Sequence, residues 1–410
     1  MGHFDPEEAI ARVHREFGEH GGVCPSISRS STFTVMAPET MPAIFKGIRS
    51  PEQGGCYLYS RHFNPTVDVL ARYLAAMEDT EYAICTASGM AAIACTLLQI
   101  CRNGDHIVAS HTIYGGTHAL LADLLPQWGI RVSFVDPARP ENFEAARKPE
   151  TRVWYTEAMG NPTLALADIP EMARMAQKAG VTLVVDNTFT PMLISPAVLG
   201  ADVVVYSMTK FINGASDLLA GAICAKRTFI RQLMDLHTGR AMLLGPTMDP
   251  RAAFDIIQRI PHLAVRMREH GRRAMVIAEH LEEWGVAVTY PGLPSFPQHA
   301  RMRNIVNAGY GYGGMLTIDC GTQKKAETLM DKLQNKERFG FMAVSLGYFD
   351  TLMSCSGAST SSEIDAEEQG RMGLSPGLLR MSVGITGNLD ERLKQLQSAL
   401  QTCGIIEDAS

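Results

Sequence analysis

No two of the nine cysteines stand in CxxC spacing, so neither a thioredoxin-like redox pair nor a common zinc framework is written into this chain. Cys24, Cys56, Cys85, Cys95, Cys101, Cys224, Cys320, Cys355 and Cys403 are scattered, several of them inside apolar runs, as expected of buried, reduced thiols in a cytoplasmic protein. No apolar run approaches the roughly 20 residues that span a bilayer, so a membrane protein is not expected. A secretory or transit pattern is missing as well: Met1-Gly2-His3-Phe4-Asp5-Pro6-Glu7-Glu8 is polar and acidic. Its approach to a myristoylation pattern fails at Pro6, where Ser or Thr is required. A positive excess is also lacking. The formal net charge of -6 argues against nucleic acid or an anionic membrane surface as the main partner. Internal repeats and low-complexity tracts are absent.

What is present is ample material for a core: 410 residues, 46% of them hydrophobic, enough for two or three domains without a metal or disulfide staple. From Tyr82 the chain alternates. Strands are expected at Tyr82–Cys85, His106–Ser110, Arg131–Val135, Val153–Thr156, Val181–Val185 and Val203–Tyr206. Helices are expected from Gly89 to about Cys101, Thr117 to Trp128 and Ile169 to Ala179. Strand-helix repeats at this pitch specify an α/β fold, a mainly parallel sheet flanked by helices. After about Arg251 a long helical region (Ala253 to Trp284) leads to a strand at Met315–Asp319 and helices at Lys324–Leu333 and Leu389–Leu400. This reads as a smaller C-terminal α+β domain. The expected division is 1–60 for an irregular N-terminal segment lying across a partner subunit, 61–255 for the large domain and 256–410 for the C-terminal one.

The run Val203-Val204-Val205-Tyr206-Ser207-Met208-Thr209-Lys210 is a buried parallel strand ending in two hydroxyls and a lysine. Upstream, Val181-Thr182-Leu183-Val184-Val185 ends in Asp186-Asn187-Thr188. Ligands of open α/β sheets bind at such strand ends. Taken alone, Lys210 reads better as a surface lysine after a core strand. Paired with Asp186 it supplies what pyridoxal phosphate chemistry requires: an amine that bonds the cofactor's aldehyde and an acid that keeps the pyridine nitrogen protonated. Ser88-Gly89-Met90 follows a strand and opens a helix, where free amides attract phosphate, although many strand-helix turns contain Ser-Gly. Ser207 and Thr209 add hydroxyl donors. Tyr114, past the strand His106–Ser110, is either a boundary tyrosine or an aromatic that stacks on a pyridine ring and trades protons; a phenol donates at neutral pH without tuning. Asn161-Pro162-Thr163 ends a further strand at the same edge. Arg380 lies within the apolar strand Leu378–Val383 and needs an anion, either a substrate carboxylate or a structural Asp or Glu.

These residues, with Tyr59-Ser60-Arg61, Asn64-Pro65-Thr66, Tyr114-Gly115-Gly116-Thr117, Ser207-Met208-Thr209-Lys210-Phe211 and Ser345-Leu346-Gly347, resemble the Cys/Met-metabolism group of fold-type I pyridoxal phosphate enzymes from about His20 to about Leu389. Glu16 to Gly22, Gly245-Pro246-Thr247-Met248, Gly340 to Tyr348 and Ser354-Cys355-Ser356 resemble the plant-type subgroup that eliminates at the γ-carbon of methionine. The resemblance implies pyridoxal 5'-phosphate bound covalently at Lys210, its nitrogen on Asp186, its ring under Tyr114 and its phosphate on Gly89, Met90, Ser207 and Thr209. Tyr59 and Arg61 would reach that phosphate from a neighbouring subunit in a homotetramer built as a dimer of dimers. Asn161, Ser345 and Arg380 would hold the amino-acid carboxylate and nearby cofactor groups, with Thr360 close by. The implied reaction yields methanethiol, 2-oxobutanoate and ammonia. The alternative on the same path is γ-replacement on an O-acylhomoserine, as in an O-acetylhomoserine sulfhydrylase or a cystathionine γ-synthase, and a third reading is a non-catalytic binding protein. Departures fall outside the cofactor set: Gly116 stands where bacterial lyases carry cysteine, Gly214-Ala215 where Gly-His or Gly-Gln is usual, and His237 about where those lyases carry a lysine. They bear on substrate preference, Gly116 by leaving space beside Tyr114.

Overall fold

The computed structural model describes residues 4–14, 17–45, 57–355 and 375–407. Its larger sheet contains β1 (Tyr82–Thr86), β2 (His106–Ser110), β3 (Arg131–Val135), β4 (Thr151–Glu157), β5 (Thr182–Asp186), β6 (Val203–Ser207) and β7 (Gly221–Ala225) in the order β1-β7-β6-β5-β4-β2-β3. Strands β2 to β6 pair in parallel, whereas β7 runs antiparallel to both β6 and β1.

The continuous valine runs have a simple cause: both faces of the sheet are buried. Val153, Tyr155, Val184, Val203 and Val205 enter one core with Ala92, Ile93 and Leu97 of the helix Gly89–Ile100. Their neighbours Trp154, Leu183, Val185, Val204 and Tyr206 enter the other, with Leu70, Tyr73, Leu74 and Met77 of the helix Pro65–Glu78. The helix Ile169–Ala179 shows how local signals set an element: Asp168 caps it by accepting from the Glu171 amide, and Gly180 ends it at φ 68°.

Some expectations needed correction. Strand β7 was not foreseen. Its small residues fit a strand directly beneath the start of the helix Gly89–Ile100, where a Cβ at Gly221 would collide with the Ser88 carbonyl. The expected helix 117–128 is interrupted. Helical turns at Gly115–Ala119 and Leu125–Gln127 flank a π-turn at Leu120–Leu124, next to Pro126, which has no N–H to donate. Pro261 likewise divides the long helical region into Pro250–Arg259, a 3-10 turn at Ile260–His262 and Leu263–Glu283. The N-terminal stretch is not wholly irregular either. A helix at Pro6–Val13 docks on its own chain, where the Tyr310 hydroxyl donates to Asp5 Oδ1 at 2.8 Å and Arg268 pairs with Glu7 at 2.5 Å.

The smaller sheet comprises β8 (Val288–Thr289), β9 (Met315–Asp319), β10 (Phe341–Met342), β11 (Leu352–Cys355) and β12 (Leu378–Ser382), in the order β10-β11-β12-β9-β8. Leu316, Ile318, Met353, Leu379 and Met381 pack with Ala274 and Ile277 of the helix Leu263–Glu283 and with Leu396 and Leu400 of the helix Leu389–Thr402. Among the described residues no helix is long and apolar enough to cross a membrane.

Candidate active site

The carboxyl ends of β4, β5 and β6 open onto a cavity of about 200 Å³ lined by Gly89, Met90, Tyr114, Asn161, Asp186, Ser207, Thr209, Lys210 and Arg380. Nine of the sequence-derived candidates thus share one space. Ser345 joins them from the loop before β11, where its Oγ accepts from Lys210 Nζ at 3.1 Å. Gly347 makes that approach possible: it sits at φ 75°, and a Cβ there would lie 2.8 Å from the Lys210 carbonyl carbon. Tyr59 and Arg61 do not line this cavity. Arg61 Nη1 donates to the Met242 carbonyl at 2.9 Å, and the Arg61 guanidinium lies 5.6 Å from the centre of the Tyr59 ring. Thr360 lies outside the described residues.

Burial lowers the Lys210 amine to about 8, helped by the positive charge of Arg380. The Asp186 carboxyl is pushed up by burial and pulled back by Thr188, whose amide and hydroxyl donate to Oδ1 at 2.9 and 2.6 Å. Among the described residues its Oδ2 receives only a long contact of 3.5 Å from the Tyr155 hydroxyl. That buried oxygen therefore retains capacity for a cationic donor. Thr188 Oγ1 also accepts from the Ser207 amide at 2.8 Å, so one hydroxyl ties the ends of β5 and β6 together.

At the cavity's other end, Ser88 caps the helix Gly89–Ile100 by accepting from Ala91 N, while the first-turn amides of Gly89 and Met90 have no intrahelical acceptor. A Cβ at Gly89 would stand 2.6 Å from the Ser207 Cβ, so only glycine lets the helix start this close to the β6 hydroxyl. The resulting cradle of amides and hydroxyls suits a phosphate.

Arg380 is buried in β12; its Nη1 donates to Asn161 Oδ1 at 2.8 Å and its Nη2 to the Ser345 carbonyl at 3.1 Å. Burial depresses it to about 10, with the negative charge of Glu157 opposing the shift. Tyr114 is half exposed, and its ring leans on Gly116: a Cβ there would meet Tyr114 Cε1 at 2.6 Å. The space expected beside the tyrosine is occupied by the tyrosine ring itself.

Glu157 was missed. The expected strand stopped at Thr156, yet the final residue of β4 is this buried acid, paired in register with Asp186. The signal was available in the run Val153-Trp154-Tyr155-Thr156-Glu157, a carboxylate at a strand end like Asp186. The apolar lining from Met159, Phe189, Leu219, Val344 and Leu346 was missed too, because it comes from loops without periodicity.

A lysine and an acid at neighbouring strand ends, facing a phosphate cradle at a helix N-terminus, fit pyridoxal phosphate and define a fold-type I enzyme of that cofactor. The more particular assignment comes from comparison. The family model described as "Cys/Met metabolism PLP-dependent enzyme" matches residues 8–401, and the chain belongs to that family. It is 54% identical to methionine gamma-lyase of Arabidopsis thaliana, over 96% of this chain and 90% of that one. Its fold is similar to cystathionine gamma synthase of Xanthomonas oryzae pv. oryzae, solved with aminoacrylate and cysteine (TM-score 0.87, 30% identity, 98% of this chain and 99% of that chain). It is also similar to a putative O-acetylhomoserine (thiol)-lyase of Campylobacter jejuni carrying N'-pyridoxyl-lysine-5'-monophosphate (TM-score 0.88, 26% identity, 97% and 100% covered). The protein is a pyridoxal-phosphate-dependent enzyme.

Proposed function

We propose that the enzyme catalyses γ-elimination of L-methionine to methanethiol, 2-oxobutanoate and ammonia. The observation that carries this reading is the division of the cavity. Lys210, Asp186 and the Asn161–Arg380 pair lie together, and the wall around them is apolar, from Met90, Met159, Phe189, Leu219, Val344 and Leu346. A thioether offers no strong hydrogen-bond acceptor and needs no polar partner in such a wall.

The residues take complementary roles. Arg380, with Asn161 and Ser345, grips the α-carboxylate. Lys210 would hold the cofactor covalently, and its amine, once free, would take the α-proton and move protons toward the β-carbon. Asp186 would keep the cofactor's pyridine nitrogen protonated. The cofactor, when bound, supplies the electron sink for charge at the α-carbon. Gly89 and Met90 amides with the Ser207 and Thr209 hydroxyls would hold its phosphate. Tyr114 would lie against its ring, with its phenol as proton donor to the departing thiolate.

The same reading includes a homotetramer built from dimers, with Tyr59 and Arg61 completing a neighbour's phosphate site. Support comes from their position outside their own chain's cavity and from exposed Phe17, Val23, Met36 and Met41 in the N-terminal stretch. It also places the enzyme in the reducing cytosol, in keeping with eight described cysteines that are all free.

A second reading, γ-replacement on an O-acylhomoserine, is favoured by the likeness to the Campylobacter and Xanthomonas enzymes and by the half-exposed Tyr114, which leaves an approach for an outside nucleophile. Product analysis separates the two. The purified enzyme with L-methionine should release 2-oxobutanoate and methanethiol. No 2-oxobutanoate from methionine, with rapid turnover of O-acetyl-L-homoserine plus a thiol, reverses the order of the readings.

A further inference from the structure

We propose that Glu157 is a positioning residue, one buried carboxylate that locks Tyr114 and Asn161 onto the same strand end. Its Oε1 accepts from the Tyr114 amide at 2.7 Å and its Oε2 from the Asn161 amide at 2.8 Å. Those amides belong to different loops: Tyr114 follows β2, Asn161 follows β4, and the two strands are adjacent. Both residues lead into the cavity, Tyr114 through its ring above Gly116 and Asn161 through its bond to Arg380.

The chemistry requires an acid here. Two N–H donors converge on one side chain, and only a carboxylate offers an acceptor oxygen to each. Glutamine would turn an NH2 group toward one of them, and aspartate is one methylene too short to reach both. Burying this carboxylate opposite Asp186 in register is costly, and the Tyr114 and Asn161 amides, followed by the charge of Arg380, offset only part of that cost. An arrangement so expensive is best explained by what it holds. With both loops on one anchor, the grip on the α-carboxylate and the height of the tyrosine ring are set together.

The inference rests on the proposed reading only for where the amino-acid carboxylate binds. It is tested on the holoenzyme with L-norleucine, which has the amino-acid head group and an apolar side chain but no sulfur leaving group. Binding is read from the change in the cofactor's visible absorption. Glu157→Gln and Glu157→Asp should retain full cofactor stoichiometry yet bind norleucine at least about 10-fold more weakly, the scale of one hydrogen bond to a charged group. On methionine, KM should rise and kcat should also fall, because both the carboxylate grip and the tyrosine move. Binding and both constants within twofold of wild type in each variant would overturn the proposal. If neither variant folds, hydrogen exchange of the wild-type enzyme decides. The Tyr114 and Asn161 amides, neither bonded to a backbone carbonyl, should exchange slowly, and fast exchange at either overturns it. Should wild type bind norleucine but fail to cleave methionine, the reaction assignment falls and the role of Glu157 is still read from norleucine alone.

Discussion

Arg380 and Asn161 lie 219 positions apart in the chain and meet at 2.8 Å inside the cavity. One belongs to the smaller sheet and the other follows a strand of the larger one, so this pair exists only where the two sheets are brought together. A guanidinium with two of its donors fixed by Asn161 and Ser345 is pre-set in orientation and keeps further donors for a ligand.

Lys210→Ala should abolish the cofactor's lysine-bound visible absorption and reduce methionine turnover by at least about 100-fold, the lower range for a positioned acid–base group. The 2-oxobutanoate assay and a spectrum of the purified variant check this. Turnover near wild type with bound cofactor would remove Lys210 from its role.

Cofactor capture by the apoprotein should depend on pH through the same amine. Burial and Arg380 lower Lys210 to about 8, so the amine is mostly an ammonium below that pH and mostly nucleophilic above it. The capture rate should therefore rise with pH and level off beyond about 8. In Arg380→Leu the midpoint should move upward, because a neighbouring positive charge has gone. A midpoint unmoved by that change would mean Arg380 does not act on the lysine electrostatically.

The proposed sharing of a site between subunits is open to complementation. Arg61→Ala and Lys210→Ala chains, each inactive alone, should regain part of the wild-type activity when dissociated and mixed, because one kind of hybrid site carries neither lesion. Mixed oligomers proven by mass spectrometry but without activity would confine Tyr59 and Arg61 to their own chain.

Substrate choice should respond to Gly116. A Cβ there would stand 2.6 Å from Tyr114 Cε1 and 3.1 Å from Cζ, so Gly116→Cys must displace the ring. The ratio of methionine elimination to O-acetylhomoserine turnover should shift by about 10-fold, the lower range for a repacked apolar contact. Cofactor content should not change. An unaltered ratio would show that the ring's position does not govern preference.

Glu78 makes a stability prediction behind the site. Buried on the helix Pro65–Glu78, it interacts with the Tyr206 hydroxyl and accepts from Asn187 Nδ2 at 3.2 Å. Burial raises its carboxyl from 4.5 to about 8. A raised pKa means the folded state holds the proton more tightly, so this contribution is full below about 4.5 and lost as pH rises through about 8. Glu78→Gln should remove it, and the melting temperature of the variant relative to wild type should climb across that window. A constant difference would place the carboxyl's pKa elsewhere.

The α/β class, the helix Ile169–Ala179 with its cap and glycine stop, and the pairing of Lys210 with Asp186 were legible in the sequence, because hydrophobic period, capping and strand-end chemistry are local signals. Ser88-Gly89-Met90 was legible for the same reason. Strand β7 was not: its small residues carry no period, and its place is set by the helix start above it. The breaks at Pro126 and Pro261 were decided by how surrounding turns accommodate a missing donor. Glu157 carries a strand-end signal, but its two amide partners arise only when β2 and β4 lie side by side, and the filling of the Gly116 space by Tyr114 was not legible at all. Sequence by itself singled out Lys210, Asp186, Tyr114 and Arg380, which the structure gathers around one cavity. Tertiary structure alone decided that Arg380 turns toward Asn161, that Ser345 reaches Lys210 and that one carboxylate holds two loops. Those relations join segments distant in the chain, and burial at the junction of two sheets sets their distances and charges.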